Sequence, residues 1–132
     1  MKILFICKSN IGRSQMAEAF FNEKNSEHKA ISAGSHVREE HEGKAISTVT
    51  EKVLACMDKV GLDVKEKVMN QVTPEMVTFA DKVVAITPKE TLPMFVQESP
   101  KLEVWDIPDA GGTDMEFHNM GRDTVKEEVL KL

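Results

Sequence analysis

Long apolar runs are missing from this sequence. The longest near its start, Ile3 to Ile6, is too short for a signal peptide or a membrane-spanning helix, so a cytoplasmic location and no membrane partner are expected. A basic excess is missing as well. The net charge is −5, which excludes a general nucleic-acid surface and leaves any anion to be captured by a few placed groups. Cysteine is scarce: Cys7 and Cys56 supply neither a disulfide framework nor a metal-ligand spacing, although one of them can serve as a reactive thiolate. His28, His36, His41 and His118 show no ligand spacing either and read as surface or loop residues. With six Phe, one Trp and no Tyr, the chain is poor in side chains that could wall an aromatic substrate. Repeats, low-complexity tracts and linkers are absent. A chain of 132 residues that is 41% hydrophobic and 30% charged therefore reads as a single folded domain, residues 1–132, large enough to bury a core.

What is present is concentrated near the start. The β-branched, apolar run Ile3-Leu-Phe-Ile6 stops at Cys7. A short polar loop follows, Lys8-Ser-Asn-Ile-Gly12, then Arg13 and Ser14, and then the helix-forming segment Gln15-Met-Ala-Glu-Ala-Phe-Phe21. A strand, a loop with a thiol at one end and a guanidinium at the other, and a helix make the layout of an anion site with a nucleophile inside it.

Along the chain, the spacing predicts a buried parallel strand over Lys2–Ile6 and a helix over Arg13–Lys24 with Met16, Ala17, Ala19 and Phe20 inward. A second strand is expected over His28–Ser32, a loop over Ser35–Gly43, and a helix over Ala45–Val60, stopped by Gly61. Thr73-Pro74-Glu75 has the form of an N-cap, an N1 proline and an acidic first turn, opening a short helix to about Ala80. Strands are expected over Lys82–Ile86 and Leu102–Ile107, with a short helix after Thr87-Pro88 that Pro93 limits. The tail from about Asp114 reads as an amphipathic helix using Met115, Phe117, Met120, Val125, Val129 and Leu130. Alternating strands and helices predict an α/β fold with a parallel sheet and helices on both faces. In such sheets ligands sit beyond the carboxyl ends of the strands at the switch point, where Cys7 and Asp109 can meet.

The loop chemistry points to a phosphoryl group. Its oxygens call for many converging donors, which a tight loop supplies as backbone N–H groups and the next helix supplements with its positive end. Gly12 permits backbone conformations that a side chain forbids, Asn10 tolerates the left-handed region, and Arg13 offers a planar fork for two oxygens. The same field favours a thiolate at Cys7, with Ser14 donating to the sulfur. These residues outline attack on phosphorus, a cysteinyl-phosphate and hydrolysis by water. A general acid must protonate the leaving group, and Asp109 is the candidate, with Asp106 and Asp114 as rivals in the same segment.

With these residues in view, the chain resembles the low-molecular-weight protein tyrosine phosphatase family, whose fold thioredoxin-coupled arsenate reductases share. The resemblance rests on the Cys-x5-Arg-Ser loop Cys7–Ser14, then Met16-Ala-Glu18, Ser32-Ala-Gly34, Gly61, Thr73-Pro-Glu75, Ala80-Asp81, and Asp109 ahead of a terminal helix with Arg122-Asp123. It implies a flavodoxin-like three-layer sandwich with a four-stranded parallel sheet, no metal or other cofactor, and hydrolysis of phosphomonoesters, typically phosphotyrosine. Carried over by position, Cys7, Arg13 and Asp109 are catalytic, and Lys8, Ser9, Asn10, Ile11, Gly12, Arg13 and Ser14 bind phosphate. The partner is then a phosphorylated protein or a small aryl phosphate. The chain departs from the family in several places. Ser9 stands where a Gly is usual, and Gly12 where a second Cys is frequent. Ala110 follows the candidate acid in place of Pro. Ala110-Gly111-Gly112 replaces aromatics that wall the cleft in eukaryotic members, and Ile11 replaces a Thr found in relatives acting on phosphoarginine.

Other readings fit less well. Arsenate reduction needs two further thiols to carry a disulfide outward, and Asp81–Trp105 has no Cys. A degenerate nucleotide-binding loop would need Cys7 and Arg13 to stand in for the glycine and lysine of that motif. A non-catalytic phosphate-binding module leaves the thiol and the acid without a purpose. Cys56 falls on the apolar side of a helix and reads as core. The Met-rich segments read as core filling, Arg122-Asp123 as an ion pair or helix surface, and Glu39-Glu40 and Lys65–Lys67 as solvated faces.

Overall fold

A computed structural model describes residues 1–132. Four strands, β1 (Lys2–Cys7), β2 (Lys29–Gly34), β3 (Lys82–Ala85) and β4 (Leu102–Val104), form one sheet in the order β2-β1-β3-β4. Every pairing is parallel. The helices are α1 (Arg13–Lys24), α2 (Lys52–Asp58), α3 (Pro74–Phe79), α4 (Met94–Gln97) and α5 (Met115–Leu130). This is the parallel α/β arrangement that the strand–helix alternation predicts and the flavodoxin-like sandwich that the resemblance implies. The strand order reverses at β1, which pairs with β2 on one side and β3 on the other, so the switch point lies at the end of β1 where Cys7 sits.

The continuous apolar run of β1 is explained by burial on both faces. Ile3, Phe5 and Cys7 join a core with Met16, Ala17 and Phe20 of α1, Val53 and Cys56 of α2, and Val125 and Val129 of α5. Leu4 and Ile6 point the other way, into a smaller core with Val83, Leu92 and Val96. Burying an Ile, Leu or Phe contributes about 1.5–3 kcal/mol each, so β1 is the best-anchored segment in the chain. The scarce aromatics are used here too: Phe5 packs edge-on to Phe21 at 6.2 Å and beside Trp105 at 5.9 Å. No helix is long and apolar enough to cross a membrane.

Several expected elements take a different form. The helix expected over Ala45–Val60 is broken. Ile46–Thr48 forms a single 3-10 turn and α2 begins only at Lys52. The run Ser47-Thr-Val-Thr50 carries three β-branched residues, which crowd a helix. Thr50 Oγ1 instead accepts the Val53 N–H at 3.3 Å, and Ala45 bridges to Val68. Gly61 does end this segment, at φ +81°. β2 runs on to Gly34 rather than ending at Ser32, and β4 stops at Val104 rather than Ile107. β3 ends at Ala85, so β4 loses its partner, although the Trp105 N–H still reaches the Ala85 carbonyl at 2.8 Å. In α5, Met120 and Leu130 are exposed, whereas His118 is buried with Val125 and Val129. Lys65 and Glu66 are exposed as expected, but Lys67 pairs with Glu18 in a half-buried setting. Thr73 caps α3 by accepting the Met76 N–H, and Asp114 caps α5 by accepting the Phe117 N–H.

Candidate active site

The loop after β1 turns sharply because Asn10 adopts φ 56°, inside the left-handed region. Asn10 is fully buried and its side chain explains why the strain is tolerated. Its Oδ1 accepts the backbone N–H of Asn70 at 2.8 Å. That backbone group can only donate, so the amide nitrogen of Asn10 must face the other way. There it donates to Ser14 Oγ at 2.8 Å and to Ser32 Oγ at 3.1 Å. Ser14 Oγ lies 3.0 Å from Cys7 Sγ. A thiolate can only accept, so with Cys7 ionised the Ser14 hydroxyl is the donor across this contact. This arrangement stabilises negative charge on Cys7.

The loop is also braced from behind. The N–H groups of Ser35 and His36 donate to the carbonyls of Cys7 and Lys8, both at 2.8 Å. Gly34 sits so close that an added Cβ would lie 2.9 Å from the Lys8 carbonyl oxygen and 3.0 Å from the Asn10 nitrogen. Gln15, buried at the start of α1, donates to the Asn10 and Val68 carbonyls. With its carbonyls and side chains held in this way, the loop leaves the N–H groups of Lys8, Ser9, Asn10, Ile11 and Gly12 donating to no acceptor in the protein. α1 follows with no acidic residue in its first turn. Free donors and a helix N-terminus together form an anion cradle.

Arg13 is fixed by the sheet. Its Nη1 donates to the carbonyls of Ile86 at 2.8 Å and Ile107 at 3.1 Å, just past the ends of β3 and β4. Its Nη2 lies 3.8 Å from Asp109 Oδ2. Asp109 is largely exposed, and its Oδ1 accepts the Gly111 N–H at 2.9 Å. A cleft of ≈ 450 Å³ joins these groups. Cys7, Ser9, Ile11, Gly12 and Arg13 form one part of its lining, and Pro108, Asp109, Ala110, Gly111 and Gly112 another.

The expected residues therefore divide into two sets. Cys7, Arg13 and Asp109 meet in the cleft, with Ser9, Ile11 and Gly12 beside them. Asn10 and Ser14 lie behind the cleft as buried braces, and Lys8 is exposed outside it. Of the rival acids, Asp106 does not line the cleft and Asp114 is occupied as the cap of α5.

The cleft also extends to residues that sequence reasoning assigned elsewhere. Val49, Thr50, Glu51 and Lys52 reach it through the break before α2. His118 and Arg122 reach it from α5, and the burial of His118 contradicts the expectation of a surface or loop position. Arg122 does pair with Asp123, but its Nη1 also donates to the Cys56 carbonyl at 2.8 Å. A helical stripe drawn back from Val129 and Val125 runs through Arg122 and His118, and that periodicity is the sequence signal for both. Cys56 is fully buried and outside the cleft, and burial pushes its thiol pKa up.

Three comparisons with known proteins bear on this geometry. The family described as low molecular weight phosphotyrosine protein phosphatase matches residues 2–132. A glutaredoxin arsenate reductase of Synechocystis sp. is 29% identical over 132 residues, covering 99% of this chain and 95% of that protein. A solved low molecular weight protein tyrosine phosphatase from T. tengcongensis superposes with a TM-score of 0.84 at 25% identity, covering 99% of this chain and 96% of the other. The YwlE arginine phosphatase from Geobacillus stearothermophilus superposes with a TM-score of 0.83 at 24% identity, covering 98% and 88%, a likeness of fold.

Proposed function

Because the chain belongs to the low molecular weight phosphotyrosine protein phosphatase family, we propose that it hydrolyses phosphomonoesters through a cysteinyl-phosphate, with phosphotyrosine or another aryl phosphate as substrate. The observation that carries this reading is the meeting of the Cys7–Arg13 loop with Asp109, which is distant in sequence, in one cleft at the switch point of the sheet.

In the first step the Cys7 thiolate attacks phosphorus, forming a P–S bond as the ester P–O bond breaks. The departing oxygen takes the proton of Asp109. The free N–H groups of the loop and the Arg13 guanidinium hold the equatorial oxygens, whose charge they match without rearranging. In the second step the Asp109 carboxylate removes a proton from water. The water oxygen attacks phosphorus, the P–S bond breaks, and Cys7 leaves as a thiolate stabilised by the Ser14 hydroxyl. Inorganic phosphate is released and the enzyme returns to its starting state.

Ile11 and the Ala110-Gly111-Gly112 segment line the cleft, and no Phe or Trp side chain does. An open, small-residue wall of this kind admits an aryl group without stacking on it. The substrate is accordingly a phosphorylated protein or a small aryl phosphate, rather than phosphoarginine.

Arsenate reduction is the second reading, favoured by the printed activity of the Synechocystis relative. Reducing arsenate takes two electrons, and a relay within this chain would need a second thiol near Cys7. Cys56 is the sole other cysteine, and its Sγ is buried and donates to the Val53 carbonyl at 3.3 Å. The phosphatase reading therefore stands ahead.

The test is a panel of phosphotyrosine peptide, phosphoarginine, phenyl phosphate and arsenate against wild type and Cys7→Ser. The expected result is turnover of the two aryl phosphates by wild type alone, with phosphate binding kept in Cys7→Ser. Activity retained in Cys7→Ser, or thiol-dependent arsenate reduction exceeding ester hydrolysis, overturns the reading.

A further inference from the structure

The segment bearing Asp109 has little to hold it by packing. Asp109, Gly111 and Gly112 are exposed, and Gly112 takes φ +78°. Its order depends on hydrogen bonds. The Thr113 N–H donates to the Ala110 carbonyl at 3.0 Å, and Thr113 Oγ1 donates to the same oxygen. The outer end of this turn is held by His118. Its Nδ1 lies 2.8 Å from the Asp114 carbonyl oxygen and 3.2 Å from Thr113 Oγ1. A carbonyl only accepts, so Nδ1 carries a hydrogen. Thr113 Oγ1, whose own hydrogen goes to Ala110, accepts from the same Nδ1–H. On the opposite side Lys52 of α2 donates to the Thr113 carbonyl.

His118 occupies a position where α5 otherwise buries Val125 and Val129, and it is 6% exposed. A buried imidazole on an apolar stripe costs desolvation that an aliphatic residue avoids. Its hydrogen bonds are all made to the two residues that close the Asp109 turn.

We propose that His118 is a positioning residue that sets the Asp109 turn for proton transfer by clamping Thr113 to the capped start of α5. This rests on the phosphatase reading given above. The imidazole acts through Thr113: its hydrogen bonds go to Thr113 and Asp114, and none goes to Cys7, Arg13 or Asp109. The clamp takes the part that packing plays in an apolar loop, in a turn made of Ala110, Gly111 and Gly112.

The test compares His118→Phe, which keeps a ring but loses the donor, with His118→Asn, whose amide can replace the Nδ1–H. General-acid assistance matters most for a poor leaving group, so phenyl phosphate and 2,4-dinitrophenyl phosphate are run side by side. His118→Phe is expected to lower kcat/KM at least tenfold for phenyl phosphate and less than threefold for the dinitrophenyl ester. His118→Asn is expected to recover most of the loss, and inhibition by inorganic phosphate should stay as in wild type. Equal losses on both esters, or no recovery with Asn, overturn the proposal. Amide hydrogen exchange supplies a reading independent of turnover. In His118→Phe the Gly111 and Thr113 amides should exchange at least tenfold faster, with β1 and α1 unchanged. Unchanged exchange at those two amides, or faster exchange everywhere, contradicts the clamp. A wild-type protein that hydrolyses neither ester would sink the phosphatase reading, while the exchange result would still decide whether His118 orders the turn.

Discussion

Ser14 Oγ lies 3.0 Å from Cys7 Sγ while receiving a hydrogen bond from the Asn10 amide at 2.8 Å. The Asn10 amide is oriented in turn by the Asn70 N–H. The chain Asn70–Asn10–Ser14 runs one way, and a thiolate at Cys7, which only accepts, completes it by taking the Ser14 hydrogen. Replacing Ser14 by Ala removes that hydrogen, while the Asn10 amide keeps Ser32 as an acceptor and Asn70 as a donor. A hydrogen bond to a charged group is worth about 1.5–3 kcal/mol, so the expected loss is roughly ten- to a hundredfold in kcat. Phosphate inhibition should change little. Single-turnover kinetics on phenyl phosphate check this, and an unchanged rate in Ser14→Ala would contradict it.

Asp109 lines the cleft beside Arg13, whereas Asp106 does not line it. Asp109→Asn should slow phosphorylation of the enzyme by about 10²–10⁴-fold on a poor leaving group, the usual range for a positioned general acid. Asp106→Asn should stay near wild type. Rapid-quench measurement of the first turnover ranks the two, and the reverse ranking would move the acid to Asp106.

Gly34 is a packing constraint on the loop from the neighbouring strand. A methyl group there would meet Val37 Cγ2 at 2.6 Å as well as the loop backbone at Lys8 and Asn10. Gly34→Ala is expected to destabilise the protein by about 1–3 kcal/mol, the usual cost of overpacking. It should also weaken phosphate binding, since the displaced atoms belong to the cradle. Urea unfolding and phosphate titration measure the two effects, and loss of stability with unchanged phosphate affinity would show that the loop does not feel the strand.

Glu103 gives a pH-dependent contribution away from the cleft. The Trp105 indole N–H donates to its carboxylate at 2.6 Å and, with a further contribution from Lys82, holds its pKa below the usual carboxylate range against the opposing effect of burial. The folded value lies below the unfolded one. The stability Glu103 contributes is therefore present above the ordinary glutamate range and is lost as pH falls through the folded value. Glu103→Gln should flatten the acid limb of a Tm-against-pH curve and leave the neutral region nearly level. An acid limb identical to wild type would contradict this coupling.

The sequence made the heart of the fold readable because two strong signals coincide there. The unbroken run Ile3–Ile6 marks a strand buried on both faces, and the Cys7–Ser14 spacing fixes what its end presents. The cap at Thr73 and the start of the last helix at about Asp114 are legible because such signals act over a few residues, a capping oxygen reaching a backbone N–H only three positions on. The break before α2 was hidden because Ile46, Val49 and Val53 keep helical spacing across it, while the bridge from Ala45 to Val68 that competes with the helix is long-range. His118 is polar, so only its spacing from Val125 and Val129 marks it as inward. Its burial is satisfied by Asp114, one turn back at the cap of the same helix, and by Thr113, whose hydroxyl it meets once the Asp109 turn folds against α5.

The central claim is that Cys7 carries the phosphoryl group. Wild-type protein quenched during turnover of phenyl phosphate can be digested and the Cys7 peptide examined by mass spectrometry. Phosphate attached to Cys7 in the quenched sample, absent without substrate and absent in Cys7→Ser, is the predicted result. Turnover of phenyl phosphate with no phosphate on Cys7, or with activity persisting in Cys7→Ser, would contradict it.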